Sequence, residues 1–232
     1  MTIAANLTPA AAAGAQSPEI PAILVDLGRR EFGSTLELQR DLVLKRQRDE
    51  IPDTLLFVEH PDVITLGRGT HKENIVNPGQ IPVFEIERGG DVTYHGPGQL
   101  VGYPILLLRD GERDLHRYLR NLEEAMIRAL GELGLEAGRR DGWTGVWTAR
   151  EPQAKLASIG VAVKKWVTLH GFALNVATDL RQFATINPCG LDAGVMTSVA
   201  AALGRKVGLA EVAAPIARHL GALMNRRFSV ET

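Results

Sequence analysis

The amino-acid sequence predicts an α+β fold, an α/β sheet with packed helices, and three observations carry that reading. Strand-like runs follow one another without helices between them, above all Lys155 to Val163 and then Trp166 to Val176. The clearest helical periodicity, Leu115 to Leu133, stands among strands, and the other late helical stretches gather at Val195 to Leu203 and Leu209 to about Asn225. A regularly alternating βαβ chain would spread its helices evenly between its strands. At 232 residues the chain has room for one large domain or two small ones and a sizeable core.

Composition narrows the function classes. With 45% hydrophobic and 23% charged residues the chain is ordinary for a soluble globular protein. A net charge of −1 supplies no global field to attract nucleic acid or an anionic membrane, so neither is expected as a partner. The single cysteine, Cys189, excludes an intramolecular disulfide and any multi-cysteine metal site. Residues 1–20 are Ala-rich and lack a basic n-region, so they read as a disordered tail rather than a secretory signal, ahead of a domain over 21–232. No apolar run reaches the roughly 18–20 residues of a membrane span, and a cytoplasmic location is expected.

The elements follow in order. Ala22 to Leu27 is a short apolar strand ended by Gly28, and Ser34-Thr35-Leu36-Glu37 has the pattern of a capping box that opens a helix, which must stop before Pro52. Thr54 to Glu59 reads as a strand, His60-Pro61 as a turn, and Val63 to Leu66 as another strand. The turn Gly67 to Lys72 is glycine-rich, but its spacing is wrong for a phosphate loop, and it reads as a loop bordering a site. After a strand from Val83 to Glu87 come four glycines and a proline within the twelve residues Arg88 to Gln99. Such a run brings backbone close to a ligand, with Arg88, Thr93, His95 and Gln99 as convergent polar groups.

Leu100 to Leu108 is a long apolar strand in which Pro104 implies an edge position or a bulge. The helix from Leu115, with Asp114 as N-cap and Gly134 as terminator, is assigned to core packing alone. Gly142 to Thr148 alternates like a strand. The runs from Lys155 and Trp166 then form an antiparallel meander whose small residues leave space for a ligand chain. Gly204 to Gly208 resembles a tight hairpin, and Pro215 either begins the last helix or kinks it.

The chemistry centres on Asn187-Pro188-Cys189-Gly190-Leu191. Pro188 restricts the loop before the thiol, Gly190 frees it after, and a helix from Val195 would favour thiolate through its dipole. A nucleophilic cysteine also needs a base or a nearby positive charge. Lys155, His95 and His170 are all available, and the residues by themselves do not choose among them. A lysine partly desolvated between a turn and an apolar strand can exchange a proton with a thiol as a coupled pair.

Four segments in order, Arg88-Gly89-Gly90-Asp91-Val92-Thr93-Tyr94-His95-Gly96-Pro97-Gly98-Gln99, Lys155-Leu156-Ala157-Ser158-Ile159-Gly160, Leu169-His170-Gly171-Phe172-Ala173-Leu174-Asn175-Val176 and Ile186-Asn187-Pro188-Cys189-Gly190, resemble the motif set of the lipoyl(octanoyl) transferases of lipoate biosynthesis. The resemblance spans roughly Ala22 to Arg226. It implies a single domain with the catalytic fold of the biotin and lipoate protein ligases. It also implies transfer of an octanoyl group from octanoyl-acyl carrier protein to a lysine of lipoyl domains, the first step of endogenous protein lipoylation. The acceptors would be 2-oxoacid dehydrogenase E2 subunits and the glycine cleavage H protein.

By the same resemblance Cys189 carries the octanoyl thioester, and Lys155 promotes its thiolate and handles protons. Substrate binding falls to Arg88, Gly89, Gly90, Asp91, Val92, Thr93, Tyr94 and His95, to Ser158, Ile159 and Gly160, and to Gly171, Phe172 and Ala173. Phe172, beside small residues, bears on chain-length preference. Neither a cofactor nor a metal is implied. The carrier protein is expected to be acidic, so Arg and Lys at the mouth of the site would guide it. The alternative within the superfamily is an ATP-dependent lipoate or octanoate protein ligase, which has no need of a cysteine nucleophile.

Overall fold

The computed structural model describes residues 19–188 and 192–230. The stretch predicted as a tail therefore lies outside the described residues up to position 18, as does Cys189 with Gly190 and Leu191. In chain order the elements are β1 (Ile20–Arg29), α1 (Phe32–Gln47), β2 (Asp53–Glu59), β3 (Val63–Leu66), β4 (Val83–Glu85), β5 (Thr93–His95), β6 (Gln99–Ile105) and α2 (Leu115–Glu132). They continue with β7 (Ala137–Arg140), β8 (Trp143–Thr148), β9 (Lys155–Lys164), β10 (Val167–Asn175), α3 (Val199–Leu203), α4 (Leu209–Met224) and β11 (Arg226–Val230). A mixed sheet runs β11-β1-β2-β6-β10-β9-β8-β7, and a small sheet runs β4-β3-β5. Consecutive strands without intervening helices make this the predicted α+β arrangement. Among the described residues no helix is long and apolar enough to cross a membrane.

Strand alternation distributes the core over two faces. Leu55 and Phe57 of β2 pack with Leu100, Leu174 and the buried stripe of α2, while Leu56 and Val58 pack with Val101, Tyr103 and the α1 side. That is why β2 reads as an unbroken apolar run, as expected of a strand covered on both sides. Tyr118, Leu122, Ala125, Met126, Ala129 and Leu130 of α2 are all buried, at the spacing the sequence shows. Asp114 caps that helix as predicted, accepting from the Arg117 N–H at 3.0 Å. Beneath the small sheet a second cluster joins Ile64, Leu66, Val92, Tyr94, Phe183, Ile186 and Met196.

Several local expectations change in three dimensions. The first helix starts at Phe32, ahead of the predicted Ser34 cap. The Ser34 and Thr35 hydroxyls instead donate back to the Glu31 carbonyl at 3.2 and 2.8 Å. Phe32 is drawn into the fold between Phe84 and His60, with ring centroids 5.2 and 5.3 Å away.

Pro104 is not on an edge, because β6 lies between β2 and β10. The irregularity falls on its β10 side, where regular pairing stops at Gly102–Phe172 and His170 has φ +61°. There the Thr168 hydroxyl donates to the Pro104 carbonyl at 2.6 Å and accepts from the Leu106 N–H at 2.9 Å, so a side chain satisfies two backbone groups beside the interrupted ladder.

The helix predicted from Val195 begins only at Val199, capped by Ser198, and has five residues. It starts well beyond Cys189, so the dipole argument for the thiolate loses its basis. Gly204, read as part of a hairpin, is instead the left-handed C-cap of α3. Pro215 lies inside α4 rather than at its first turn. The chain then leaves the helical C-terminal part as an unpredicted strand, β11, parallel to β1.

Candidate active site

A cavity of about 310 Å³ opens where β8 parts from β9. The two strands pair only over Trp147–Lys155 and Val146–Ala157. Beyond Ala157 the edge of β9 is taken by the glycine-rich loop, whose Gly89 N–H donates to the Val161 carbonyl at 2.9 Å. The size is that of a small-molecule pocket. Lys155, the segments Arg88 to Thr93, Ser158 to Gly160 and Gly171 to Ala173, and His95 all line it. The structure thus gathers these separated motifs around one space.

Tyr94 does not line the cavity. It alternates to the opposite face of β5, where its hydroxyl donates to Asp62 at 2.6 Å and its ring meets Phe183 edge-on at 5.3 Å. The Gly67 to Lys72 turn also stays outside. It braces the cavity loop from behind, Arg68 and Gly69 N–H groups donating to the Arg88 and Gly90 carbonyls at 3.0 Å each.

Lys155 opens β9 and is 2% exposed. Its ammonium nitrogen sits 5.4 Å from the centroid of the Trp147 ring, whose π-face attracts a cation. Space for its stem depends on Gly145, where a Cβ would come within 2.9 Å of the lysine Cε. Gly145 is held in turn by Glu123, a buried carboxylate of α2 that accepts its N–H at 3.1 Å while paired with Arg120 and Arg139 at 2.7 and 2.8 Å. Leu115 and Leu119 of the same helix line the cavity. The assignment of α2 to core packing alone is therefore corrected: one of its faces builds the core and its first turns border the site.

Arg88 is buried and ties its loop to β3. Its guanidinium donates to the Thr65 carbonyl at 2.7 Å, to the Thr65 hydroxyl at 3.1 Å and to the Gly89 carbonyl at 3.1 Å, which shapes the loop. A polar chain continues beneath the cavity. Gln99 uses its amide N–H groups on the Tyr94 carbonyl and the Asn175 side chain, so its oxygen faces His95 and His95 Nδ1 carries the proton, at 2.8 Å. His60 Nδ1 donates to the Arg30 carbonyl at 2.7 Å, leaving Nε2 to accept from the Tyr103 hydroxyl at 2.9 Å. His170 lines the cavity; its backbone N–H donates to the Gln39 side-chain oxygen at 3.1 Å, and its ring Nε2 lies 3.5 Å from Glu87. Burial would raise the Glu87 carboxyl, but bonds from Arg40 and Lys164 outweigh it and hold it well below the usual carboxylate range.

Burial pushes His60 and His170 down to about 4 and His95 to about 3, the last also by neighbouring positive charge from His60. All three imidazoles are neutral at pH 7, and in the unfolded chain they titrate near 6.5. The unfolded state therefore binds more protons below pH 6.5, and stability falls as pH drops toward 4, by up to about 1.4 kcal/mol per pH unit for each histidine. Thermal unfolding at pH 7, 6 and 5 should show a steepening loss of Tm. A flat profile would mean that water reaches these rings.

The chain on both sides of position 189 is tied to the cavity. Upstream, the Asn187 N–H donates to the Asn74 carbonyl at 2.8 Å, and the Asn74 amide donates to Asp91, a lining residue, at 2.5 Å. Downstream, the Thr197 N–H donates to the Lys155 carbonyl at 2.9 Å. Phe32, Tyr103, Leu115, Leu119 and Trp143 are among the lining residues that no sequence motif singles out. Of these only Leu115, exposed at 43%, stands out as apolar surface without a packing role, and exposure is not visible before folding.

A mixed sheet with a small second sheet, and a cavity walled in part by a glycine-rich loop, define a catalytic domain of the lipoyl protein ligase type. The family model "Lipoyl protein ligase A/B catalytic domain" matches residues 33–221. More narrowly, the chain belongs to the octanoyltransferase family. It is 51% identical over 202 residues to the octanoyltransferase of Geobacter metallireducens, covering 87% of this chain and 93% of that protein. It is 50% identical over 208 residues to that of Solibacter usitatus, covering 87% and 92%. Among solved structures, a lipoate-protein ligase A bound with ATP superposes with a TM-score of 0.73 at 21% identity, covering 92% of this chain and 90% of that one. A bi-partite lipoate protein ligase from Thermoplasma acidophilum gives 0.71 at 20% identity, covering 92% and 88%. These two share the fold.

Proposed function

We propose that the chain transfers an octanoyl group from octanoyl-acyl carrier protein, through a thioester on Cys189, to a lysine of a lipoyl domain. The catalytic unit covers residues 21–232 together with Ile20, the first residue of β1, and the Ala-rich stretch before it lies outside. The observation that carries the reading is the buried Lys155 on the same cavity to which both described flanks of Cys189 are bonded. Relatives at about half identity over most of the chain bear the name octanoyltransferase.

In this reaction the Cys189 thiolate attacks the carrier thioester carbonyl, and the tetrahedral intermediate expels the carrier thiolate, which takes up the Lys155 ammonium proton and leaves Lys155 a neutral amine. The acceptor lysine, as neutral amine, then attacks the Cys189 thioester. Its surplus proton passes to the Lys155 amine, the amide forms and the cysteine sulfur leaves. Backbone N–H groups around Cys189-Gly190 would stabilise the oxyanion of each step. Amide formation from a thioester is downhill, so the transfer proceeds without ATP. Arg88 to His95, without Tyr94, Ser158 to Gly160 and Gly171 to Ala173 enclose the acyl chain, and Tyr94 supports the loop from the other side of β5. The acceptors are the lipoyl domains of 2-oxoacid dehydrogenase E2 subunits and the glycine cleavage H protein.

The test is intact-mass analysis after mixing the protein with octanoyl-acyl carrier protein in the absence of ATP, before and after a lipoyl domain is added. One octanoyl adduct mapping to Cys189 and then lost to the lipoyl domain is expected. Transfer only when ATP and free octanoate are supplied would overturn the thioester route in favour of a ligase.

A further inference from the structure

We propose that Phe172 and Gly102 together form the gauge that sets acyl-chain length, an inference that rests on octanoyl transfer being the activity of this cavity. Phe172 on β10 pairs directly with Gly102 on β6 and with Ile159 on β9. Its ring lies on the bare backbone of Gly102. A Cβ at position 102 would meet the ring carbons Cζ, Cε1 and Cε2 at 2.3, 2.5 and 2.9 Å, closer than real Cβ contacts come. Phe57, the partner of Gly102 on the far side, meets the Phe172 ring edge-on with centroids 6.5 Å apart. The ring is therefore seated between a residue with no side chain and an aromatic neighbour, 3% exposed, and the empty volume it borders is the cavity.

This seat has a directional consequence. A methyl group on residue 102 cannot share the space with the ring, so the ring must rise into the cavity and shorten it. A smaller side chain at 172 withdraws from the wall and lengthens it. Close-packed interiors offer little other slack, and an apolar pocket discriminates a single methylene by about 10–200-fold. The two substitutions should therefore move chain-length preference in opposite directions.

The experiment compares kcat/KM for hexanoyl-, octanoyl- and decanoyl-acyl carrier protein, reading acylation of a lipoyl domain by mass. Phe172→Leu is expected to raise the decanoyl-to-octanoyl ratio about tenfold or more. Gly102→Ala is expected to raise the hexanoyl-to-octanoyl ratio by a similar factor. The double variant, in which leucine leaves room for the new methyl, should return toward the wild-type profile. Thermal unfolding checks that each variant folds. If Gly102→Ala does not fold, Phe172→Leu alone decides: an unchanged profile in that variant overturns the gauge. Failure of the wild-type protein to transfer any of the three chains overturns the octanoyl-transfer reading and the gauge with it, a result separate from an active enzyme whose preference does not move.

Discussion

Lys155→Ala is expected to lower octanoyl transfer about 10²–10⁴-fold, the usual contribution of a positioned proton-transfer group, while the protein stays folded. The fold should survive because Lys155 lies at the first position of β9, and the deletion leaves Trp147 held by its strand and by Arg140, whose guanidinium is 4.9 Å from the ring centroid. The loss should be chemical, because the amine sits on the cavity in a seat built for it by Gly145 and Glu123.

Two further variants separate charge from proton exchange. Lys155→Arg keeps a cation that does not give up its proton at accessible pH, so it should remain nearly as inactive as the alanine variant. Lys155→Met keeps the length without the charge and should behave likewise. Substantial activity in the arginine variant would reduce the role of Lys155 to placing a positive charge. Cys189→Ser should abolish both the octanoyl adduct and transfer, and transfer retained at wild-type rate would remove Cys189 from the mechanism.

Asp53→Asn is expected to destabilise the protein by about 3–5 kcal/mol, the range for breaking a buried ion pair from one side. Asp53 is 1% exposed and receives Arg46 Nε at 2.7 Å, Arg226 Nε at 2.9 Å and the Leu107 N–H at 2.9 Å. The Arg226 side chain, wholly buried, further reaches Glu112 and the carbonyls of Met224 and Leu107. One carboxylate thus serves two arginines from opposite ends of the chain, and an amide at 53 leaves both cations buried with too little negative charge. Urea unfolding of the two proteins measures the difference. A loss below about 1 kcal/mol, the ceiling for exposed pairs, would mean that water screens the network. Octanoyl transfer by the folded fraction should be unaffected, because Asp53 does not line the cavity.

Much of this protein was legible in local residue order. Val63 to Leu66, the meander of β9 and β10, and the helix from Asp114 to Gly134 depend on periodicity, turn residues and a cap within a few positions of one another, and they stand where the residues place them. The motif segments were recognisable for the same reason: the residue types needed at a close backbone approach are written in consecutive positions.

What failed to show in the sequence depends on distant partners. Pro104 is tolerated in a central strand where Thr168, far along the chain, bonds the Pro104 carbonyl and the Leu106 N–H beside the interrupted ladder. β11 follows a helix and becomes a strand because β1 offers it an edge and Asp53 a counter-charge. Tyr94 turns from the cavity because strand alternation assigns it to Asp62 and Phe183. The chain by itself determined which chemistry is present: a lone thiol, a lysine at a strand start and glycine-rich backbone. Only tertiary structure decided the seat of Lys155 over Trp147, the neutral histidines beneath the cavity and the ring of Phe172 against Gly102. Burial and cross-strand contact are properties of pairs of residues that folding alone brings together.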